Sequence, residues 1–132
     1  MEAIVDKKTQ DFWASRMLNP DLLNGAIDLI KDKLGTRVEE TRADKLGIHF
    51  ISEGRIIMSL YASYPYLRVS FAPAAGLLLQ EDESFEVHRY NFWETTWRMT
   101  HECYTGMSIW IAERKHLKAF DKLLARIKEG RG

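Results

Sequence analysis

One histidine and one cysteine lie at a spacing that could support nucleophilic chemistry. His101 and Cys103 are two residues apart. On a strand, residues two apart point to the same face, so the imidazole could act as the base that turns the thiol into a reactive thiolate. Trp97 and Met99 continue the same row, however, and free cysteine is often buried as a small hydrophobe. A core-facing strand explains the row better, so an enzyme using His101 and Cys103 is the least favoured of three functional hypotheses.

The other residues that carry chemistry form no motif of known spacing. No two histidines have the i, i+4 spacing that places two imidazoles on one helix face, and the four lie on different predicted elements: His49, His88, His101 and His116. The single cysteine, Cys103, excludes an intramolecular disulfide and the usual thiolate zinc sites. The glycines are too far apart for a dinucleotide-binding or P-loop motif. The sequence therefore predicts no metal site, no cofactor and no catalytic residue.

Aromatic residues are concentrated in the middle of the chain. Eleven of the 15 aromatic residues lie between residues 61 and 110. One α+β core does not require so many tryptophans and tyrosines, whereas an apolar ring with a polar tip suits a pocket or an interface. We therefore predict a ligand-binding pocket lined by aromatic and histidine side chains, namely Tyr61, His88, Tyr90, Trp93, Trp97 and His101.

A second functional surface is predicted around Tyr104 and Trp110. Trp110 is out of phase with Met107, Ile109 and Ile111. It therefore lies on the outer surface of a sheet or in a strand that is buried on both faces. A large exposed aromatic residue on a sheet would indicate a contact between two copies of the chain. We expect a homodimer with Tyr104 and Trp110 at its interface.

Charge and composition exclude several kinds of partner. The chain has 132 residues with 19 Lys and Arg against 19 Asp and Glu, so its formal charge is zero. Nucleic-acid binding draws its affinity from an excess of basic residues, and zero net charge with an acidic cluster at residues 81–86 argues against it. No apolar run approaches the length of about 18 residues that a membrane span needs, and the N-terminus has no apolar signal region. With its single cysteine, the chain is expected to be soluble and cytoplasmic.

Hydrophobic periodicity predicts two helices, about six strands and a final helix. Helical spacing covers residues 6–18 and 20–34, where Asn19 and Pro20 mark a helix start. Gly35 is expected to end the second helix in a left-handed conformation. Alternating patterns follow between residues 36 and 112, including a hairpin with its turn at Glu53 and Gly54. A last helical stripe covers residues 114–129.

The short connections between strands predict antiparallel pairing, and the separation of helices from strands predicts the α+β class. We expect one domain over residues 1–132, with two N-terminal helices, a curved antiparallel sheet of about six strands and a C-terminal helix packed on the sheet. A helix-grip arrangement, where the final helix closes a bent sheet over a cavity, fits this order. A flat two-layer sandwich without a cavity fits it equally well.

Two functional hypotheses therefore lead. The first is a small binding module that holds a small apolar or aromatic ligand in a pocket between sheet and helix. The alternative is a protein-interaction module, such as an inhibitor, an immunity-type protein or a complex subunit, that acts through an exposed aromatic sheet face. An enclosed cavity would favour the first, and an exposed patch around Tyr104 and Trp110 would favour the second.

Overall fold

The computed structural model describes residues 5–44, 47–72, 87–91 and 105–130, with residues 87–91, 105–107 and 129–130 described by their backbone. These stretches contain three helices and six strands. Their order is α1 Lys7–Ala14, α2 Pro20–Leu34, β1 Glu40–Ala43, β2 Ile48–Ser52, β3 Arg55–Ala62, β4 Leu67–Phe71, β5 Val87–Asn91, β6 Thr105–Ile111 and α3 Arg114–Gly130. This order confirms the predicted α+β class, with two N-terminal helices and one C-terminal helix.

Within the described stretches, the six strands form one sheet in the order β1-β2-β3-β4-β6-β5. Every neighbouring pair is antiparallel, as predicted. The first four strands follow the chain order, because short turns join sequential antiparallel neighbours. β6 then lies between β4 and β5, which makes it an interior strand of the sheet. The sequence left this strand order open.

Capping residues set where the two N-terminal helices begin. The Asp6 carboxylate accepts a hydrogen bond from the backbone N–H of Thr9 at 3.3 Å. The Asn19 side chain accepts one from the N–H of Asp21 at 3.2 Å, and Pro20 follows as the first helical residue. Proline suits that position because its N–H would have no helical partner there anyway. The predicted start of α2 is therefore confirmed.

Two helix ends differ from the prediction. α1 ends at Ala14 and not near residue 18, because the N–H groups of Arg16 and Met17 bond to carbonyls three residues earlier in a tight turn. Gly35 is not left-handed: its φ of −56° and ψ of −33° are ordinary helical values. Glycine is favoured there for lack of space, because a Cβ atom at Gly35 would collide with the carbonyl oxygen of Lys31.

The turn between β2 and β3 forms where it is predicted. Glu53 and Gly54 have positive φ angles of 53° and 75°. Two positive φ angles are typical of a type I′ turn, whose twist matches that of the flanking strands. The pairing register then shifts between Phe50 and Ile51, a bulge that increases the local twist.

The hydrophobic core lies between the helices and one face of the sheet, which we call the inner face. Phe50, Leu60 and Val69 point to this face and are at most 1% exposed. The ring of Phe71 in β4 lies 6.4 Å from the ring of Phe120 in α3, so α3 packs on this face. Residues that alternate with these core positions point to the opposite face, which we call the outer face.

Candidate functional site

A row of polar residues crosses the outer face of the sheet. His49 in β2 pairs with Ser59 in β3, which pairs with Ser70 in β4, which pairs with Ser108 in β6. All four residues are only 3% to 5% exposed. Although the helices pack on the inner face, the protein therefore encloses this part of the outer face as well.

A second row, which we call the aromatic row, lies beside the first. Tyr61, Arg68 and Trp110 are opposite one another on β3, β4 and β6. The guanidinium carbon of Arg68 lies 4.5 Å from the centre of the Tyr61 ring, a cation–π contact. Trp110 stacks on Tyr66 with ring centres 4.6 Å apart and planes 14° from parallel. With Tyr66 packed on Trp110, the row presents three rings and one cation.

The outer face of β4 and β6 next to the aromatic row is made of small residues. Ser70 and Ala72 continue the outer face of β4, and Ser108 and Gly106 continue that of β6. We call these four residues the small-residue patch. Neighbouring strands lie about 4.8 Å apart, and same-face residues along a strand lie roughly 7 Å apart. Large side chains therefore lie at one end of the patch, and only small side chains lie within it.

His49 is the centre of a hydrogen-bonded chain on the outer face. Its Nε2 atom lies 2.9 Å from Oδ2 of Asp44, and its Nδ1 atom lies 2.7 Å from Oγ of Ser59. The His49 ring also meets the Tyr61 ring edge-on, with centres 6.0 Å apart. A buried imidazole needs such partners, because each unsatisfied polar group would cost about 1–3 kcal/mol.

Sequence reasoning missed this chain. Asp44 and His49 have no motif spacing, and Ser59 comes within reach of His49 only through the register of the β2–β3 hairpin. The one usable signal is the predicted turn at residues 53 and 54. Counting outward from that turn places His49 opposite Met58, and the bulge between Phe50 and Ile51 then shifts its partner by one residue to Ser59.

The Asp44–His49–Ser59 chain has the residue types of a hydrolase triad without its geometry. In catalytic triads, Nδ1 faces the carboxylate and Nε2 faces the nucleophile, whereas here the two nitrogens are exchanged. Ser59 is buried in the middle of β3, between two paired strands. Its hydroxyl is out of reach of a substrate, so the chain positions side chains and does not supply a nucleophile.

Tyr61 stays protonated at physiological pH. Burial raises the pKa of its hydroxyl above the ordinary value of 10.0. The interaction with Ser59 and the positive charge of Arg68 act in the opposite direction, and the negative charge of Asp44 adds to the rise. The outer face therefore presents a neutral phenol that can donate a hydrogen bond.

Arg68 carries a positive charge that no described carboxylate neutralises. Its Nε atom is shielded from solvent and has no hydrogen-bond acceptor among the described residues. Among the residues that the structure describes, no Asp or Glu forms a salt bridge with it. By contrast, the exposed Arg42 pairs with Glu40 at 2.7 Å. A buried donor without a partner in a native structure calls for an explanation, such as a water, an ion or a ligand.

Two residues of the predicted sites, Tyr61 and Trp110, are described with their side chains, and both belong to the aromatic row. Tyr61 lies on the outer face and not between sheet and helix, because Leu60 and Ala62 on either side of it pack in the core. Trp110 is half-buried and stacks on Tyr66. The structure thus brings together on one surface a residue predicted to bind a ligand and a residue predicted to form an interface.

Of the remaining predicted residues, two are described by their backbone alone. His88 and Tyr90 are in β5, where their backbones pair with Ser108 and Gly106, in register with the small-residue patch. Four predicted site residues lie outside the described residues, namely Trp93, Trp97, His101 and Tyr104. Cys103 lies there too, so the hypothesis of an enzyme using His101 and Cys103 stays a prediction.

The fold and the outer face define the class: an α+β protein with helices on one face of an antiparallel sheet, and with a buried polar row beside a half-buried aromatic row on the other. No protein-family model matches the chain, and it has no significant match among curated protein sequences or solved structures. In the described part of the chain, no helix is both long and apolar enough to cross a membrane. Within the same stretches, no three His, Cys, Asp or Glu residues are grouped closely enough to hold a metal ion.

Proposed function

We propose that the protein is a binding module that holds a small, mostly apolar or aromatic molecule on the outer face of its sheet. The observation that carries this proposal is the aromatic row, in which Tyr61, Arg68 and Trp110 are only half-buried. Small-molecule sites are mostly apolar and aromatic, with a few polar groups that orient the ligand. Tyr61 and Trp110 would supply the rings, and Arg68 would supply the polar group.

The packing of the inner face supports a site on the outer face. Leu23, Ala26, Ile30 and Leu34 of α2 are all 0% exposed and belong to the same core as the sheet. Protein cores of this kind are packed as densely as organic crystals, which leaves little room for a ligand. They also lack the polar groups that would orient one. In the described part of the chain, a ligand site between the sheet and the helices therefore has less support than a site on the outer face.

A neutral fluorescent probe tests the proposal. We expect N-phenyl-1-naphthylamine, which is aromatic and uncharged, to bind the wild-type protein saturably with one site per chain. Trp110→Ala would remove a ring of the aromatic row and abolish this binding, whereas Phe12→Ala, at an exposed aromatic position outside the sheet, would leave it unchanged. Circular dichroism would verify that both variants are folded. Absence of saturable binding to the wild type, or equal binding to folded Trp110→Ala, would refute the proposal.

The second candidate function is a protein-interaction module, and one observation favours it. Trp110 is half-buried, and Tyr64, in the turn before β4, is 65% exposed, so aromatic surface reaches solvent at this end of the outer face. Native mass spectrometry of the purified protein separates the two candidates. A dimer without a bound small molecule, converted to a monomer by Trp110→Glu, would favour the interaction module. A reproducible added mass that is lost on denaturation would favour the binding module.

The proposed cellular location is the cytoplasm. A chain whose single cysteine cannot form an internal disulfide suits a reducing compartment. We also propose that the protein is a homodimer, and the aromatic surface around Trp110 supports this proposal.

A further inference from the structure

The strand β1 lies at one edge of the described sheet and is exposed there. It pairs with β2 on one side, and no described strand pairs with its other side. The Glu40 and Arg42 side chains are 45% and 60% exposed, and Ala43 is exposed as well. A strand at a sheet edge can pair with a strand of another chain. We propose that β1 pairs antiparallel with β1 of a second copy, about a two-fold axis at Thr41, and so joins the two sheets into one.

The backbone of β1 directs hydrogen-bonding groups to this edge. Next to the strand, the N–H of Asp44 donates to the carbonyl of Gly47 at 3.0 Å. Residues that bond to the same neighbouring strand alternate along an antiparallel ladder, so Asp44 and Arg42 direct their backbone groups towards β2. The backbone groups of Thr41 and Ala43 therefore point away from β2. In the proposed pair, Thr41 exchanges two hydrogen bonds with the partner's Thr41.

The charges of β1 are complementary to those of a second copy. Glu40 and Arg42 are two residues apart on one face, on either side of Thr41, and their side chains meet at 2.7 Å within the chain. A hydrogen bond from Arg42 holds the pKa of Glu40 below its ordinary value of 4.5, so both residues are charged at neutral pH. Pairing about Thr41 places Glu40 opposite the partner's Arg42, with Cβ atoms about 5 Å apart. Four charges of alternating sign then meet across the edge.

The same charges favour one register. When the two sheets are continuous with their helices on one side, opposed residues share a face, so the two-fold axis passes through a residue. An axis at Glu40 would oppose two carboxylates, and an axis at Arg42 would oppose two guanidiniums. An axis at Ala43 would oppose Arg42 to the partner's Asp44, whose carboxylate is already bonded within its own chain. The axis at Thr41 makes both opposite-charge pairs within β1. Charges that only protect an edge from pairing need no such symmetry.

The proposed pair goes beyond the proposed function and does not depend on it. Trp110 is in β6, which is separated from β1 by three strands of the sheet. Pairing through β1 therefore leaves the aromatic row uncovered. A dimer that forms through Trp110 would use a different surface, so substitutions distinguish the two interfaces.

Charge reversals in β1 test the proposal by sedimentation velocity, from micromolar to millimolar protein. A four-residue edge buries less than the roughly 1,000 Å² of a stable interface, so the wild type is expected to form a weak dimer that added salt weakens further. Glu40→Arg and Arg42→Glu each oppose like charges at both pairs. Each variant alone should dimerise at least about tenfold more weakly than the wild type.

Two combinations of these substitutions should restore pairing. In an equimolar mixture of the two single variants, each copy meets opposite charges on the other, so the mixture should dimerise although neither variant does so alone. The double variant with Glu40→Arg and Arg42→Glu exchanges the charges and should dimerise like the wild type. Circular dichroism would verify that the variants are folded, as expected for exposed positions whose ion pair contributes at most about 1 kcal/mol.

Two further variants locate the interface. Arg55→Glu makes the same charge change at an exposed position of β3 and should leave the dimer intact. Trp110→Glu should leave it intact too. The proposal is overturned by a wild type that stays monomeric throughout the concentration range, by a mixture of the single variants that stays monomeric, or by a dimer that Trp110→Glu disrupts and Arg42→Glu does not. None of these results changes the binding of N-phenyl-1-naphthylamine, which tests the proposed function separately.

Discussion

The guanidinium of Arg68 lies 4.5 Å from the centre of the Tyr61 ring, and the two residues face each other across the β3–β4 ladder. Tyr61 also meets the His49 ring edge-on. It therefore connects the aromatic row with the chain of hydrogen bonds through His49, Asp44 and Ser59. Substitutions of Tyr61 should therefore affect both the aromatic row and the hydrogen-bonded chain through His49.

The stability of the protein should fall more steeply at alkaline pH because of Tyr61. Its pKa in the folded protein is raised, chiefly by burial, above the ordinary value of 10.0. The folded state therefore keeps a proton that the unfolded state releases, so the stabilisation is complete below about pH 10 and is lost as pH rises through the folded-state pKa. Urea unfolding of the wild type and Tyr61→Phe across this range should show the steeper loss in the wild type.

The exposed Tyr64 is the control for this pH effect. Its side chain is 65% exposed, and Tyr64→Phe should keep the wild-type pH dependence. Parallel curves for the wild type and Tyr61→Phe would contradict the assignment of the effect to Tyr61.

Removing the Ser59 hydroxyl should destabilise the protein by about 1–3 kcal/mol, because it leaves Nδ1 of the buried His49 without its 2.7 Å partner. The free energy of unfolding from urea titrations of Ser59→Ala measures this. Ser15→Ala also loses a hydroxyl hydrogen bond, but at an exposed site, and should change stability by no more than about 0.5 kcal/mol. An equally small effect of Ser59→Ala would mean that the hydrogen bond contributes little.

The stack of Tyr66 on Trp110 should give a measurable coupling energy. A double-mutant cycle with Tyr66→Ala and Trp110→Ala isolates the pair from the other contacts of each residue. Stacked rings 4.6 Å apart are expected to contribute about 0.5–1.5 kcal/mol beyond the area they bury. The same cycle between Tyr66 and the exposed Phe12 of α1, a pair without a ring contact, should give a value near zero; a coupling as large as that of Tyr66 with Trp110 would contradict the stack.

The two residues of the β2–β3 turn should respond to substitution in opposite directions. Glu53 adopts a left-handed conformation, with φ of 53°, that asparagine tolerates better, so Glu53→Asn should stabilise the protein by about 0.5–1 kcal/mol. Gly54 has φ of 75°, and Gly54→Ala should destabilise it by about 1 kcal/mol. Thermal unfolding followed by circular dichroism would detect both shifts. A stabilising Gly54→Ala would be incompatible with the type I′ turn.

Sequence patterns predicted the elements of this fold well where the governing physics is local. Asn19 and Pro20 placed the start of α2, and Glu53 and Gly54 placed the hairpin turn. The predicted end of α1 was wrong because the backbone tightens into a turn after Ala14, a change of hydrogen bonding that the hydrophobic spacing does not reveal. The conformation of Gly35 was also wrong, since the need for glycine there comes from the Lys31 carbonyl and not from a left-handed backbone.

The sequence by itself determined the α+β class, the antiparallel pairing and which residues of a strand share a face, because capping, turn conformation and alternation depend on residues close together in the chain. Only the tertiary structure decided that β6 lies between β4 and β5, which places Trp110 opposite Arg68. It also decided that His49 meets Ser59 and that Tyr61 faces away from the helices. Register across strands joins residues far apart in sequence, and it is set by packing of the whole sheet, which no local pattern contains.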